Sequence, residues 1–378
     1  MRILRTIETF LPYVCGPVNQ AFQISNRLEL LGIASPVLTT YCDIEPELPS
    51  QELIEKVKVT RFNNQIRLMR YCVSLGMTKS LKNFDILHAH NYRNFQSDLG
   101  FFFSSLRRKP FVLNTHGSLL GYKKYLPKGI PQAPYEIYDG LTFKTVARRA
   151  DAIVVSSEFE KDDAIEFGID LNKIHVIPMG IDLPPVSGEN KKTDENPLHL
   201  LFVGRLARVR RVELLIQAIS LMDFPVLTTI VGGEEETASV AKGGYLNELK
   251  KLVEDLKIEE KVEFVGPKTK SELWEYYSNS DIFIYPSLYE NFGQPILEAA
   301  AAGLPIVSTN VGVARELVIE SETGFIVSDE PKAIADRVRD LINRETRKQM
   351  GEKMRQKVAA DFGWEMVMQK YIKLYNSL

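Results

Sequence analysis

Short apolar runs alternate along the chain with stretches whose apolar positions recur at helical spacing. In the first half the runs are Met1–Thr6, Ala34–Thr40, Val57–Arg61, Phe84–His90, Pro110–His116, Ala152–Ser157 and Ile174–Ile177. Each reads as a strand covered on both faces. Between them the pattern predicts helices, among them an amphipathic one over Val18–Leu31. A basic one is predicted over Ile66–Leu81, carrying Arg67, Arg70 and Lys79, with Lys82 just beyond. The segment Leu183–Pro197 breaks the series with proline, glycine and charge, and reads as an interdomain linker. The series then restarts with strands at Leu198–Val203, Val226–Val231, Lys261–Val265, Asp281–Tyr285, Pro305–Ser308 and Gly324–Val327. Helices are predicted over Val212–Leu221 and Tyr245–Leu256, and from Pro331 to the end. A break at Phe362-Gly363-Trp364 precedes a last helix, Glu365–Tyr375. Strand and helix alternating at these lengths predict α/β architecture, with two doubly wound, Rossmann-like domains facing across a cleft.

One stretch carries more information than the rest. Asp281–Pro305 reads as a buried strand, a polar loop and a short helix. Pro295 suits a first helical turn, and Gly303 and Pro305 stop the helix. Asn291, Phe292 and Gly293 then lie just ahead of a helix N-terminus, where backbone N–H groups and the dipole favour a diphosphate or sugar hydroxyls. Glu290 sits at the mouth of the loop. Glu298 follows after seven intervening residues, just inside the helix, where its carboxylate could accept hydrogen bonds from a pair of ribose hydroxyls. Against this stands the plainer role of a first-turn glutamate, which is to favour the helix dipole.

Composition narrows the class. With 378 residues the chain is long for one core, so two domains are expected. A net charge of −2 argues against nucleic acid as a partner. Three scattered cysteines, Cys15, Cys42 and Cys72, form no C-x-x-C pair and fit a reducing compartment with no metal signature. The N-terminus begins as a strand without the apolar core of a signal peptide, so a cytoplasmic location is expected. The basic Arg67–Lys82 stretch is the candidate for peripheral contact with an anionic membrane, with a solvated face as the plainer reading.

The remaining candidate chemistry is basic and glycine-rich. Gly204 and Arg205 follow the first strand of the second series, with Arg208, Arg210 and Arg211 close behind. Arginines at the carboxyl edge of a parallel sheet suit a diphosphate, Arg205 above all. Arg208 and Arg211 read as surface residues. In the first series Met1–Thr6 leads into a loop with Gly16, for which two readings stand: close approach of a ligand to the backbone, or a turn glycine. No G-x-G-x-x-G follows, so a dinucleotide fingerprint is absent.

The segments FVGRL at 202–206, VEFVGP at 262–267 and YENFGQPILEAAAAGLPIVSTNVG at 289–312 resemble the retaining GT-B glycosyltransferases of family four, with their E-x7-E motif. FDILHAHN, VLNTHG, ADAIVVSS and KIHVIPMGID extend the resemblance through the first half. It implies domains at 1–183 (acceptor side) and 198–361 (nucleotide-sugar side), a linker at 184–197, and a C-terminal helix, 362–378, packing back on the first domain. It implies that Glu298 binds the nucleotide ribose, and that Glu290 with the backbone of Asn291, Phe292 and Gly293 holds the donor sugar. Arg205 and Arg210 would face the diphosphate, and Gly204, Gly266 and Pro267 would line the nucleotide. Gly16 and His116 would approach the donor from the first domain, His116 across a closed cleft, while His88, His90 and His175 read as structural. The chain departs from the family pattern at Arg210 for the usual lysine, Arg211 for glycine, Cys15 for one glycine of a pair, and Met179 for asparagine.

The implied reaction is hexosyl transfer from a nucleotide diphosphate sugar, UDP- or GDP-linked, to a hydroxyl of a sugar, polyol or lipid-linked acceptor. No cofactor or metal is expected, since no D-x-D pattern occurs and arginines stand in for the cation. The competing readings are a sugar-nucleotide epimerase on the same fold, a non-catalytic sugar-nucleotide-binding protein, and a two-domain receptor of the periplasmic type. Gly117–Tyr138 is expected as an acceptor-side loop, with Tyr122, Tyr125 and Tyr135 packing in the core as the plainer alternative.

Overall fold

The computed structural model describes residues 1–126, 129, 131–184, 197–234 and 244–378; nearly all of the expected linker, 184–197, lies outside them. The chain divides into two units. The first is Met1–Met179 together with Glu365–Leu378, and the second is Gly180–Trp364.

The first unit is built on β1 (Ile3–Thr6), β2 (Val37–Thr40), β3 (Gln51–Ile54), β4 (Val57–Phe62), β5 (Ile66–Leu68), β6 (Tyr71–Val73), β7 (Ile86–His90), β8 (Phe111–Asn114), β9 (Ala152–Val155) and β10 (Ile174–Val176). Its main sheet runs β10-β9-β8-β7-β1-β2-β4-β3. All neighbours are parallel except β3, which pairs antiparallel with β4 at the edge. β1, β2, β7, β8 and β9 are buried throughout, which is why none shows the polar-apolar alternation of a half-exposed strand, and Arg5, His88, His90 and Asn114 are enclosed with their apolar residues. β3 has no such run, and its half-exposed QELI was not recognisable as a strand. The helix Trp364–Asn376 belongs mostly to this unit, and Tyr371 and Tyr375 are buried there.

The second unit contains β11 (Leu198–Val203), β12 (Val226–Val231), β13 (Val262–Gly266), β14 (Ile282–Tyr285), β15 (Ile306–Ser308) and β16 (Gly324–Ile326). All are parallel, in the order β13-β12-β11-β14-β15-β16. Counted within the unit this is 3-2-1-4-5-6, the doubly wound Rossmann order. The strand order reverses between β11 and β14, so the crevice at their carboxyl ends is where such a sheet binds ligands.

Two expectations need correction. Residues 66–82 do not form a basic helix. They form the β5–β6 hairpin and a 3-10 turn, Leu75–Ser80. Met69 takes φ +56° at the hairpin turn, and Arg67 and Arg70 both reach back to Asp43. Tyr71, Cys72 and Val73 favour a strand, and these tertiary contacts override a weak helical spacing. The proposed membrane-facing helix therefore does not exist. Nor is 117–138 simply a loop: Gly121–Tyr125 and Ala133–Thr142 are helical, the latter with a proline in its first turn. Tyr122 is buried and stacks on Tyr135 with ring centroids 4.7 Å apart, and Arg93 lies over both rings. The plainer reading holds for Tyr122, while Tyr135 is only half-buried against it. No helix among the described residues is long and apolar enough to cross a membrane.

Candidate active site

In the second unit β14 delivers the chain into the loop 286–293 and the helix Gln294–Ala302. Gly293 is the N-cap at φ +84°, and an added Cβ would lie 2.8 Å from Ile296 Cδ1, so both the left-handed backbone and the space favour glycine. Gly303 closes the helix in the left-handed region at φ +82°. A second loop braces the first. Val313 N donates to the Phe292 carbonyl at 2.7 Å. A Cβ on Gly312, at φ +47°, would lie 2.4 Å from that same oxygen. Gly312→Ala should therefore destabilise the protein by about 2 kcal/mol or more and lower nucleotide affinity with it. Denaturant unfolding and a nucleotide titration of the variant check both effects.

Arg210 comes to Glu290 across the switch point. Its Nη2 lies 2.8 Å from Glu290 Oε2, and its Nη1 donates to Ser287 Oγ at 3.1 Å and to the Tyr289 carbonyl at 2.8 Å. Tyr285 donates its hydroxyl to the same Glu290 oxygen at 2.9 Å. Burial raises the Tyr285 phenol well above its ordinary value, so it remains a donor. Glu290 Oε1 accepts from the Asn291 amide at 3.2 Å. Both Arg210 and Glu290 are largely enclosed, with side chains 11% and 16% exposed. The guanidinium is thus already occupied, partly by protein carbonyl and hydroxyl groups.

Glu298 is 7% exposed. Its oxygens accept from Tyr277 Oη at 3.1 Å and Gln294 Nε2 at 3.2 Å, each with a lone pair to spare. Burial pushes its carboxyl up from the usual 4.5, offset in part by those two donors and by Lys270. The two glutamates therefore sit in different surroundings, one paired with a cation and one desolvated among neutral donors.

The neighbouring strand ends are glycines. A Cβ on Gly232, at φ +143°, would lie 1.8 Å from the Gly204 carbonyl oxygen, and Gly232 N donates to the Gly266 carbonyl at 3.0 Å. Gly204, Gly232 and Gly266 thus run side by side at the ends of β11, β12 and β13, with Pro267 against Gly233. Gly232-Gly233 was missed in the sequence, although a double glycine directly after a strand was the available signal. Arg205 is exposed just after Gly204, close enough for its charge to act on Tyr285. Arg208 pairs with Glu248 at the surface, as expected, whereas Arg211, expected there too, is half-buried and pairs with Asp329. Arg211 holds φ +51° at its helix cap, the conformation that accounts for a glycine at this point in the family.

In the first unit Gly16 opens the helix Gly16–Leu30, and its Cβ position lies 3.6 Å from Met179 Cε, which leaves room for a side chain. His116 follows β8 with φ +47°. Its Nε2 lies 2.9 Å from His90 Nδ1, with the two rings edge to edge and 19° from coplanar, and the His90 ring lies nearly parallel to that of His88. Burial, with the positive charge of Arg5 acting on His88 and His90, drives all three rings below the usual 6.5, His116 to about 3. They stay neutral at physiological pH. The unfolded chain takes up protons on these rings below 6.5 and the folded chain does not. Their contribution to stability is therefore complete above 6.5 and declines as the pH falls below it. A histidine NMR titration should show no protonation of His116 between about pH 8 and about pH 5. Thus the structure brings Glu290, Asn291, Phe292, Gly293, Glu298, Arg205, Arg210, Gly204, Gly266 and Pro267 to one edge of the second unit, and leaves Gly16 and His116 in the first.

Proteins of similar sequence and fold identify the family. Residues 14–184 match the family model Glycosyltransferase Family 4, and residues 187–357 match Glycosyl transferases group 1. The chain is 26% identical over 367 residues to spore coat protein SA of Bacillus subtilis (strain 168), spanning 90% of this chain and 89% of the other. It is 27% identical over 317 residues to the D-inositol 3-phosphate glycosyltransferase of Corynebacterium urealyticum (strain ATCC 43042 / DSM 7109), spanning 78% and 72%. The structure of Anabaena HepE in complex with UDP superposes on the whole of both chains with a TM-score of 0.77 at 20% identity, a likeness of fold. The epimerase alternative finds no support among these relatives. Two Rossmann-like units, a strand order that reverses between β11 and β14 and two family models that meet near residue 185 place the chain among the group 1 / family 4 glycosyltransferases, which move a sugar from a nucleotide-sugar donor to an acceptor.

Proposed function

We propose that the enzyme transfers a hexosyl group from a UDP-sugar to a hydroxyl acceptor with retention of anomeric configuration. The observation that carries the reading is the Arg210–Glu290–Tyr285 cluster beside the helix N-terminus at Gly293. It offers a fixed carboxylate for sugar hydroxyls next to N–H groups suited to a diphosphate. The HepE complex, which contains UDP, supports uridine over guanosine.

In this reading Glu298 takes the ribose hydroxyls, and Arg205 takes the diphosphate. Glu290 with the Asn291–Gly293 backbone holds the donor sugar. Arg210 orients Glu290 and adds positive potential, Gly204, Gly266 and Pro267 line the nucleotide, and Gly16 and His116 contribute from the first unit. The anomeric C–O bond to the diphosphate breaks while the acceptor oxygen bonds the same face. The acceptor proton passes to the departing phosphate oxygen. Arg205 and the loop N–H groups stabilise the charge that gathers there. A metal is not needed when arginine supplies that charge.

A thermal-shift panel of UDP, GDP and ADP, run in EDTA, tests the reading. UDP should raise Tm most, and Glu298→Ala should abolish most of that shift by removing the ribose contacts. A protein that ignores all three nucleotides, or a Glu298→Ala variant that responds like the parent, would overturn the site.

A further inference from the structure

In the first unit the helix Phe95–Arg107 is apolar on two sides. Its inner side lies on the sheet, where a Cβ on Gly100 would meet Leu87 and Phe111. At helical spacing Phe95, Leu99, Phe102 and Leu106 fall on the opposite side, away from the sheet. Two neighbours extend this outer row. The Tyr71 ring of β6 lies 6.1 Å from Phe95 and 6.3 Å from Tyr138 of the helix Ala133–Thr142. Both tyrosine hydroxyls donate to Asp98, so one carboxylate joins the hairpin and the two helices. Tyr71 pairs across the hairpin with Leu68, which puts the two on one face. In the helix Ala133–Thr142, Tyr138 and Asp139 turn inward, which sends Ile137 and Leu141 outward, and Phe143 follows at φ +50°. On these three elements Leu68, Met69, Phe102, Leu106, Leu141 and Phe143 are 56% to 80% exposed.

The charges beside them have one sign. Arg107, Arg108 and Lys109 end the first helix, Arg148 and Arg149 follow the second, and all five are exposed. Arg67 and Arg70 of the hairpin share a single acid, Asp43. Of the acids on these elements, Asp98 lies under the two tyrosines, Asp139 is held by Arg93, and Glu136 is exposed. In a chain of net charge −2 this is a local excess of positive charge. We infer that this face of the first unit docks on a bilayer surface that carries anionic lipid. The projecting apolar side chains enter the boundary between headgroups and acyl chains, and the cations meet headgroup phosphates. Lipid is favoured over a protein partner because the apolar groups project from three separate elements and alternate with charge. A lipid surface adapts to such projections, whereas the core of a protein interface is depleted of charge. The basic stretch around Arg67, folded as a hairpin and not as a helix, supplies one corner of the surface. The inference is independent of the nucleotide site in the second unit, and its failure would leave that reading standing.

Sedimentation with vesicles tests it. The full chain should pellet with vesicles of about 30% phosphatidylglycerol in phosphatidylcholine at about 100 mM salt. Binding should be at least about tenfold weaker at about 500 mM salt, or with phosphatidylcholine alone. Leu141→Ser/Phe143→Ser should weaken binding to the anionic vesicles about tenfold or more. Arg108→Glu/Arg149→Glu should do the same at low salt. Leu53→Ser, at an exposed leucine of β3, should bind as the parent does. All these positions are exposed, so each variant should keep the parent's Tm, which separates docking from folding. No binding to anionic vesicles, binding that ignores lipid charge and salt, or binding that survives both double variants would each overturn the inference. So would a dimer, seen by analytical ultracentrifugation and abolished by Leu141→Ser/Phe143→Ser, in a protein that leaves vesicles alone, since the face would then belong to a second copy.

Discussion

Arg205→Ala is expected to lower kcat/KM by about 100- to 1,000-fold, the cost of removing one charge-stabilising donor from a leaving group. Stability should change by no more than about 0.5 kcal/mol, because the side chain is exposed at a strand end. Arg205→Lys should recover only part of the rate, since a point charge does not reproduce a fork that can bind two phosphate oxygens. Initial rates with the sugar nucleotide that the thermal-shift panel selects, set beside denaturant unfolding, check both halves. Undiminished turnover in Arg205→Ala would remove the diphosphate from this edge of the sheet.

Arg210→Met behaves differently, because Arg210 is built into the protein. Its removal leaves Glu290 enclosed without a cation, and the expected loss is about 3 kcal/mol of stability, with activity falling at least as steeply as for Arg205. Arg210→Met/Glu290→Gln should regain most of the stability, since replacing both partners removes the unpaired charge. Activity should remain lost, because the carboxylate proposed to hold the sugar is gone. Unfolding free energies for the two single variants and the double variant form the test. Additive losses would mean that the 2.8 Å pair does not couple the two residues.

The contrast between these arginines was only half legible in the sequence. Both stand in a basic run after β11, and both were assigned to the diphosphate. Arg205 keeps an exposed place consistent with that role. Arg210 folds inward onto Ser287, Tyr289 and Glu290, partners about 80 residues along the chain, and no local pattern encodes such a contact. Of the tyrosines that complete the site, Tyr285 read in the sequence only as the end of a buried strand, and Tyr277 was not singled out. Their rings are core, while their hydroxyls donate to the two glutamates.

Local chemistry alone determined the elements of the site. The run IFIY makes β14, a glycine able to take positive φ and a proline start the helix after it, and Gly303 ends it. The same short-range rules determined two series of parallel strands with helices between them. Where local signals were weak they misled: residues 66–82 became a hairpin once Asp43 was there to hold Arg67 and Arg70. The tertiary structure alone decided which strands are neighbours. Pairing β11 with β14 across eighty residues creates the crevice, because parallel pairing is a long-range choice made by the packing of whole faces. It likewise decided the charge partners, which meet only when the sheets close.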